Sequence, residues 1–343
     1  MAPIPFATIG TSWITASFIT SAHSTSQWQL RAIYSRKAET AKHFAAKHTA
    51  YTEENNANIA IHDSLDALAK DKDVQVVYIA SPNSLHFAHA KQMLEAGKHV
   101  VVEKPAANNL KELDQLFKVA KENNVFLLEA FRHLHEKNFI ALKSSLPKIG
   151  KILGANLSYC QYSSKIGALE KGEKPNVFDL NFGGGCLVDL GVYCVSAAVE
   201  LLGAPERVEY HPTKVSTGAD GAGVLLLHYH PKDSEAFTVT ITASKLFNSS
   251  SPSEVFGSTG TLSIPTITDI EKVTYWDAKS KEKESFGGER EHLNLREEAL
   301  EFARIIGKKD QEAVRSKEEV SRAVIEVTES ARRGAGLLFK GES

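Results

Sequence analysis

The sequence predicts an α/β protein: an N-terminal doubly wound parallel sheet, residues 1–131, followed by an α+β domain, residues 132–343. Three observations carry this. The first 131 residues alternate short β-branched runs with longer helical patterns, which is how parallel strands joined by right-handed crossovers read. Beyond Phe131, strand-like runs follow one another through short polar turns, and such strands are antiparallel by default. The 343 residues also exceed the roughly 250–300 that a single core supports.

The first domain reads in order as follows. Ile4–Ile9 is a strand, followed by a helix to about Ala22, and Gln29–Tyr34 is the second strand. Glu39–Lys47 is helical, Ala57–Ile61 a short strand, and Ser64–Lys70 a brief helix opening at Asp63 or Ser64, both good caps. Val74–Ala80 is a fully apolar strand, and Leu85–Ala96 a helix closed by Gly97 as a C′ glycine. Val100–Glu103, the helix Leu110–Glu122 and the strand Val125–Glu129 complete a six-strand series of the Rossmann type. In the second domain a helix at Lys137–Ser145 leads into the long strand pattern Lys151–Tyr162. The glycines Gly183–Gly185 precede a strongly apolar helix, Leu187–Leu202. Strands then crowd the stretch from Val208 to Phe286, clearest at Val224–Tyr229, Phe237–Ala243, Glu254–Gly257 and Val273–Trp276. Two helices, roughly Leu293–Ile306 and Lys317–Gly334, close the pattern.

Composition narrows the function. At 42% hydrophobic, 24% charged and 8% aromatic, the chain is neither collagen-like nor disordered. Forty Lys and Arg against 42 Asp and Glu leave a net charge of −2, which argues against nucleic-acid or anionic-membrane partners. Three cysteines, Cys160, Cys186 and Cys194, cannot all pair and form no C-x-x-C, so a cytoplasmic protein without disulfides or cysteine-bound zinc is expected. The first 30 residues contain no Lys, Arg, Asp or Glu. Pro3, Pro5, Gly10 and repeated Ser and Thr break that run short of the ~20 residues a spanning helix needs, so it reads as buried interior rather than a targeting segment.

The chemistry gathers at predicted strand ends. After the first strand comes Gly10-Thr11-Ser12-Trp13-Ile14-Thr15, a degraded G-x-G-x-x-G in which Ser12 and Thr15 replace the second and third glycines. The turn's work is to bring backbone N–H groups and a helix N-terminus onto a pyrophosphate. The second strand runs into Ser35-Arg36-Lys37 with no acid for ribose hydroxyls, whereas a hydroxyl followed by a guanidinium suits a 2′-phosphate. NADPH is therefore expected to bind in preference to NADH. The fourth strand ends in Ser81-Pro82-Asn83-Ser84-Leu85-His86, and the fifth in Glu103-Lys104-Pro105. That last run puts an ammonium at the carboxyl edge where open α/β sheets bind ligands, and a cis proline there would fix its direction.

These residues resemble the Gfo/Idh/MocA oxidoreductases. The resemblance rests on Gly10–Ile14, Ser35-Arg36, Ser81-Pro82-Asn83 with His86, and above all Gly97-Lys98-His99 followed by Glu103-Lys104-Pro105. It extends to the second domain, where Gly183-Gly184-Gly185-Cys186-Leu187-Val188-Asp189-Leu190-Gly191-Val192-Tyr193 is similar to the family's GGG-x-L-x-D-x-G-x-Y segment. Tyrosine rather than histidine at Tyr193 is the form of the dihydrodiol dehydrogenase and glucose–fructose oxidoreductase branches. The resemblance implies a substrate domain built on a large, mostly antiparallel open sheet, and dimerisation through that sheet. It implies Lys104 as the catalytic lysine, Tyr193 as the acid/base and Asp189 as a substrate-site residue. Gly10, Thr11, Ser12, Trp13, Ile14, Ser35, Arg36, Ser81, Pro82, Asn83, His86, Glu103, Lys104 and Arg132 fall to the cofactor. Asp189 and Tyr193 stand i,i+4 on one predicted helix and so share a face.

Other candidates are weaker. A metal pair at His133 and His135 is not expected, and His228 and His230 share a strand face without a third ligand. His292 near a helix start is expected to be exposed. The triple glycine is expected to allow close backbone approach to a substrate or nicotinamide. No G-x-S-x-G supports a Ser-His-Asp enzyme. The expected function is hydride transfer between NADP(H) and a carbonyl or alcohol on a sugar, polyol or cyclic diol, in a homodimer or higher homo-oligomer. The alternative is a non-catalytic dinucleotide sensor or transcription regulator on the same fold, which would have no use for an ammonium and a phenol.

Overall fold

The structure, a computed structural model, describes residues 2–49, 59–232 and 235–342. They form two compact units, residues 1–132 with 292–319, and residues 133–291 with 320–343.

The first unit is a six-stranded parallel sheet of order β3-β2-β1-β4-β5-β6. Strand and helix alternate: β1 (Ile4–Ile9), α1 (Trp13–Ser24), β2 (Trp28–Tyr34), α2 (Ala38–His48), β3 (Ala60–His62), α3 (Leu65–Lys70), β4 (Val76–Ile79), α4 (Asn83–Glu95), β5 (His99–Glu103), α5 (Leu110–Glu122) and β6 (Leu127–Ala130). The predicted strand Ala57–Ile61 lies partly outside the described residues, and its remainder runs into β3. Part of the charge-free start of the chain is interior. Phe6, Phe18 and Trp28 pack edge to face at 5.7–5.9 Å, and Phe18 stacks on Tyr78 at 3.9 Å. Such aromatic burial is the largest apolar contribution a small cluster can make. Strand order reverses between β1 and β4, and that reversal opens the crevice where doubly wound sheets bind ligands.

The second unit is built on an eight-stranded sheet of order β14-β13-β12-β11-β7-β10-β9-β8. Its elements are α6 (Lys137–Ser144), β7 (Ile152–Cys160), α7 (Ile166–Glu170), α8 (Val192–Leu202), β8 (Arg207–Lys214), β9 (Asp220–Tyr229), β10 (Phe237–Ser244), β11 (Ser253–Gly257), β12 (Gly260–Ile264), β13 (Val273–Asp277) and β14 (Lys283–Phe286). Neighbours are antiparallel except β7 and β10, which run parallel. By length and composition, Leu180–Leu202 is apolar enough to cross a membrane, but 67% of its most apolar window is buried in the protein.

Two helices follow, α9 (Arg296–Lys308) and α10 (Gln311–Gly334). A division at residue 131 assigns α9 to the second domain. Instead α9 joins the first unit, with Leu295, Ala299, Phe302, Ala303, Ile305 and Ile306 in the same core cluster as Phe6, Phe18 and Trp28. The Trp28 indole N–H donates to the Ala299 carbonyl at 2.9 Å.

Candidate active site

In the first unit the predicted residues line the carboxyl ends of β1, β2, β4 and β5. Gly10 turns out of β1 at φ +114°, and a Cβ there would stand 2.6 Å from the Ala80 carbonyl oxygen. Only glycine lets the chain pass β4 this closely. Ser12 precedes α1 without capping it, since its hydroxyl lies 3.2 Å from that of Thr15. The first-turn N–H groups of α1 therefore have no side-chain cap, which is what an anion-binding helix start requires. Trp13 is 73% exposed there. This is a fit for a dinucleotide pyrophosphate: a cradle a Cβ would fill, beside an uncapped helix end. Ser35 and the exposed Arg36 follow β2.

His89 of α4 also belongs to this edge, although no motif announced it. Its Nδ1 lies 3.0 Å from the Ser81 hydroxyl, and its ring meets Tyr34 edge-on. Burial, then His86 and the Arg36 guanidinium, push its pKa down to about 4.

Two predicted cofactor residues also make contacts within this edge. His86 is buried, with Nδ1 2.8 Å from the Pro105 carbonyl and Nε2 2.7 Å from the Ser81 carbonyl. Burial pushes its pKa down while its contacts with the two carbonyls oppose the fall, and the ring stands between the β4 and β5 loops. Glu103 accepts from the Tyr78 hydroxyl at 2.6 Å. Burial raises its carboxyl, while Lys104, Tyr78 and Arg132 oppose the rise. Lys104 follows directly, and its bond to Pro105 is cis. The loop beyond is held by Glu129, whose carboxylate accepts from the Ala106 N–H at 2.8 Å.

In the second unit the glycine segment does something other than expected. A Cβ on Gly184 would lie 2.2 Å from the Asn176 carbonyl oxygen, and one on Gly185 2.2 Å from Oδ1 of Asp220. The glycines thus admit the protein's own backbone and Asp220, so the expected role of admitting a ligand is corrected. Asp220 accepts from the Leu187 N–H at 2.7 Å and the Tyr210 hydroxyl at 2.6 Å, fixing the start of the following helix. That helix opens with a π turn over Leu187–Gly191 before α8. Asp189 lies within that π turn and Tyr193 in the first turn of α8. Asp189 forms an ion pair with Lys245, while Tyr193 packs against the rings of His133 at 5.0 Å and Tyr159 at 5.2 Å.

Nothing in the sequence singles out Lys245. Its side chain is 4% exposed, and its ammonium also sits 4.9 Å over the Phe178 ring. No motif marks it, and only the β10 register brings it to Asp189. His133 is buried 3.2 Å from the Ser196 hydroxyl. His228 and His230 face Glu209 and Glu206. Among the described residues no group of three or more His, Cys, Asp or Glu is placed to hold a metal ion.

Comparison with known proteins agrees with this layout. The family described as "Oxidoreductase family, NAD-binding Rossmann fold" (GFO_IDH_MocA) matches residues 4–131, and the "GFO/IDH/MocA C-terminal domain" matches residues 147–263. The chain is 38% identical over 341 residues to scyllo-inositol 2-dehydrogenase (NADP(+)) IolU of Bacillus subtilis, covering 99% of each. It is 36% identical over 343 residues to the uncharacterized oxidoreductase YgjR of Escherichia coli, again 99% of each. Human trans-1,2-dihydrobenzene-1,2-diol dehydrogenase is 30% identical over 234 residues, 68% of this chain and 66% of that protein. Among solved structures, KijD10, a 3-ketoreductase from Actinomadura kijaniata crystallised with NADP and TDP-benzene, aligns with TM-score 0.78 over 97% of this chain and 98% of that one. At 23% identity that likeness speaks to the fold alone.

Proposed function

The chain belongs to the Gfo/Idh/MocA oxidoreductase family, and from that premise we propose that it transfers a hydride reversibly between NADP(H) and a carbonyl or alcohol of a polyol, sugar or cyclic diol. The observation that carries the reading is end-to-end similarity to an NADP-dependent inositol dehydrogenase, in a chain with Arg36 and no acid after β2. The dihydrodiol dehydrogenase relatives support the same substrate class.

When bound, NADP supplies the hydride chemistry. Gly10, Thr11, Ser12, Trp13 and Ile14 would hold its pyrophosphate side, Ser35 and Arg36 its 2′-phosphate, and Ser81, Pro82 and Asn83 the rim of the same crevice. His86 and Glu103 hold those loops in place. The proton is the protein's task. Tyr193 gives it to a forming alkoxide or takes it from a hydroxyl, Lys104 places positive charge at the reacting oxygen, and Asp189, fixed by Lys245, receives a neighbouring hydroxyl. The buried free cysteines suit a cytoplasmic setting, and the open sheet of the second unit suits a homodimer.

Turnover of NADP(H) with a panel of inositols, sugars and trans-diols tests the proposal, with Tyr193→Phe as its sharpest arm. That change keeps the ring and removes only the hydroxyl. kcat should fall by ~10²–10⁴ with NADPH affinity preserved. Retained kcat would pass the proton role to Lys104, and no turnover of any panel member would favour a sensor.

A further inference from the structure

Lys245 directly follows β10, and its backbone is pinned on both sides. Its N–H donates to the Gly221 carbonyl at 2.8 Å, and its carbonyl accepts from the Ser163 N–H at 2.9 Å. Its side chain is 4% exposed and lies over Phe178, a fully buried ring that clusters with Ile166 and Leu169. An ammonium is costly to keep in such a place, where an apolar side chain would pack without penalty. Its ion-pair partner differs, for the Asp189 side chain is 37% exposed. The pair thus turns its carboxylate outward and keeps its cation behind. Asp220, which holds the start of the π turn, takes its hydrogen bonds from the Leu187 N–H and the Tyr210 hydroxyl, and Lys245 is left to Asp189. We propose that Lys245 is a specificity-determining residue, which acts through Asp189 to make the site accept a hydroxyl and refuse an ammonium on the carbon beside the reacting one. This rests on the polyol reading of the site, in which Asp189 receives that neighbouring hydroxyl.

Coulomb energy decides between the two groups. A lone carboxylate attracts any cation, so it would favour an amino sugar or aminocyclitol over the parent polyol. Behind Asp189, however, stands a second cation. Charge interaction falls only as the inverse of distance, so a substrate ammonium drawn to the carboxylate is pushed back by Lys245 with much of the same strength. The ammonium has meanwhile given up its water, and the remaining attraction does not restore that loss. A hydroxyl carries no net charge. It donates to the carboxylate oxygen and is indifferent to the cation behind it. Lys245 is thus a repulsive element directed at the wrong substrate, felt through its field because its side chain is covered.

The test uses the full chain with NADP and two alcohols, an inositol and the aminodeoxyinositol that carries its amine next to the oxidised carbon. Discrimination is the ratio of their kcat/KM values, in which general damage to the enzyme cancels. Wild type should favour the inositol. Lys245→Met suits the Phe178 ring and removes the charge. Lys245→Gln removes the charge and keeps a donor for Asp189. Both should move the ratio by about tenfold or more toward the amine, with NADPH affinity unchanged. Lys245→Arg should keep the wild-type preference. The N-acetyl derivative, uncharged at the same position, should show no such shift, which a role confined to packing does not predict. An unmoved ratio in either neutral variant that binds NADPH normally overturns the proposal, as does an equal shift with the N-acetyl compound. A wild-type chain that prefers the amine overturns it with no variant needed. Turnover of no inositol, sugar or diol strikes the polyol reading, and the proposal with it.

Discussion

Arg36 stands exposed at the end of β2, where its guanidinium has little to do in the protein beyond pressing on His89. Exchange for alanine should weaken NADPH by roughly 1.5–3 kcal/mol, the range for a hydrogen bond to a charged group, and leave NADH nearly unchanged. Fluorescence titration of both cofactors checks this, and equal affinities in the native chain would defeat the case for Arg36. This preference is legible in the sequence because Ser-Arg-Lys without an acid is a local pattern. His89 and Lys245 have no such pattern. Each is an ordinary residue on or beside a helix or strand, made significant by a partner far along the chain: Lys245 lies 56 residues from Asp189. Chemistry carried by neighbours in sequence is legible, and chemistry assembled by packing is not.

At the scale of elements, the parallel sheet is legible because each β-branched run is followed by a helix, which leaves few other topologies. The placement of α9 is not. Its apolar stripe of Leu295, Ala299, Phe302 and Ile306 declares a buried face without saying which sheet lies beneath it. The π turn at Leu187–Gly191 is equally silent, since one extra residue in a turn leaves apolar spacing almost unaltered. The β1–α1 turn offers a direct test of how much close packing its glycine bears. Gly10→Ala combines a φ of +114° with a clash against the Ala80 carbonyl. Gly97 has φ +75°, but a Cβ there would meet nothing within 4 Å, so Gly97→Ala isolates the backbone cost alone. We expect Gly10→Ala to lose about 1–3 kcal/mol in urea unfolding and to weaken NADPH binding, with Gly97→Ala losing less and binding normally. Equal losses in the two variants would mean that the approach to β4 carries no special burden.

For the whole molecule, assembly turns on the eight-stranded sheet. Dimerisation through that sheet is what the family resemblance implies, and the strand register shows which side chains share its faces. Residues directly opposite across neighbouring strands share a face. The register thus groups Thr238, Thr240 and Thr242 of β10 with Asn156 and Ser158 of β7 and with Val224, Leu226 and His228 of β9. Their alternates Val239, Ile241, Leu225, Leu227, Ala155 and Leu157 are buried in the core. Threonine tolerates water, so solvophobic pressure alone does not require a partner. The distribution of charge supplies a better reason. The centre of the face carries no Asp, Glu, Lys or Arg, while Arg207 and Glu209 on β8 and Glu254 on β11 flank it. A charge-depleted centre inside a charged rim is the composition of a protein interface rather than of ordinary surface. An isologous dimer through this face would bury on the order of 800 Å² per partner. Sedimentation velocity at micromolar concentration should show a dimer, and Thr240→Glu, which sets a carboxylate at the centre, should give a monomer with unchanged far-ultraviolet circular dichroism. A native chain that sediments as a monomer there, or a Thr240→Glu variant that still dimerises, would remove this face from the assembly.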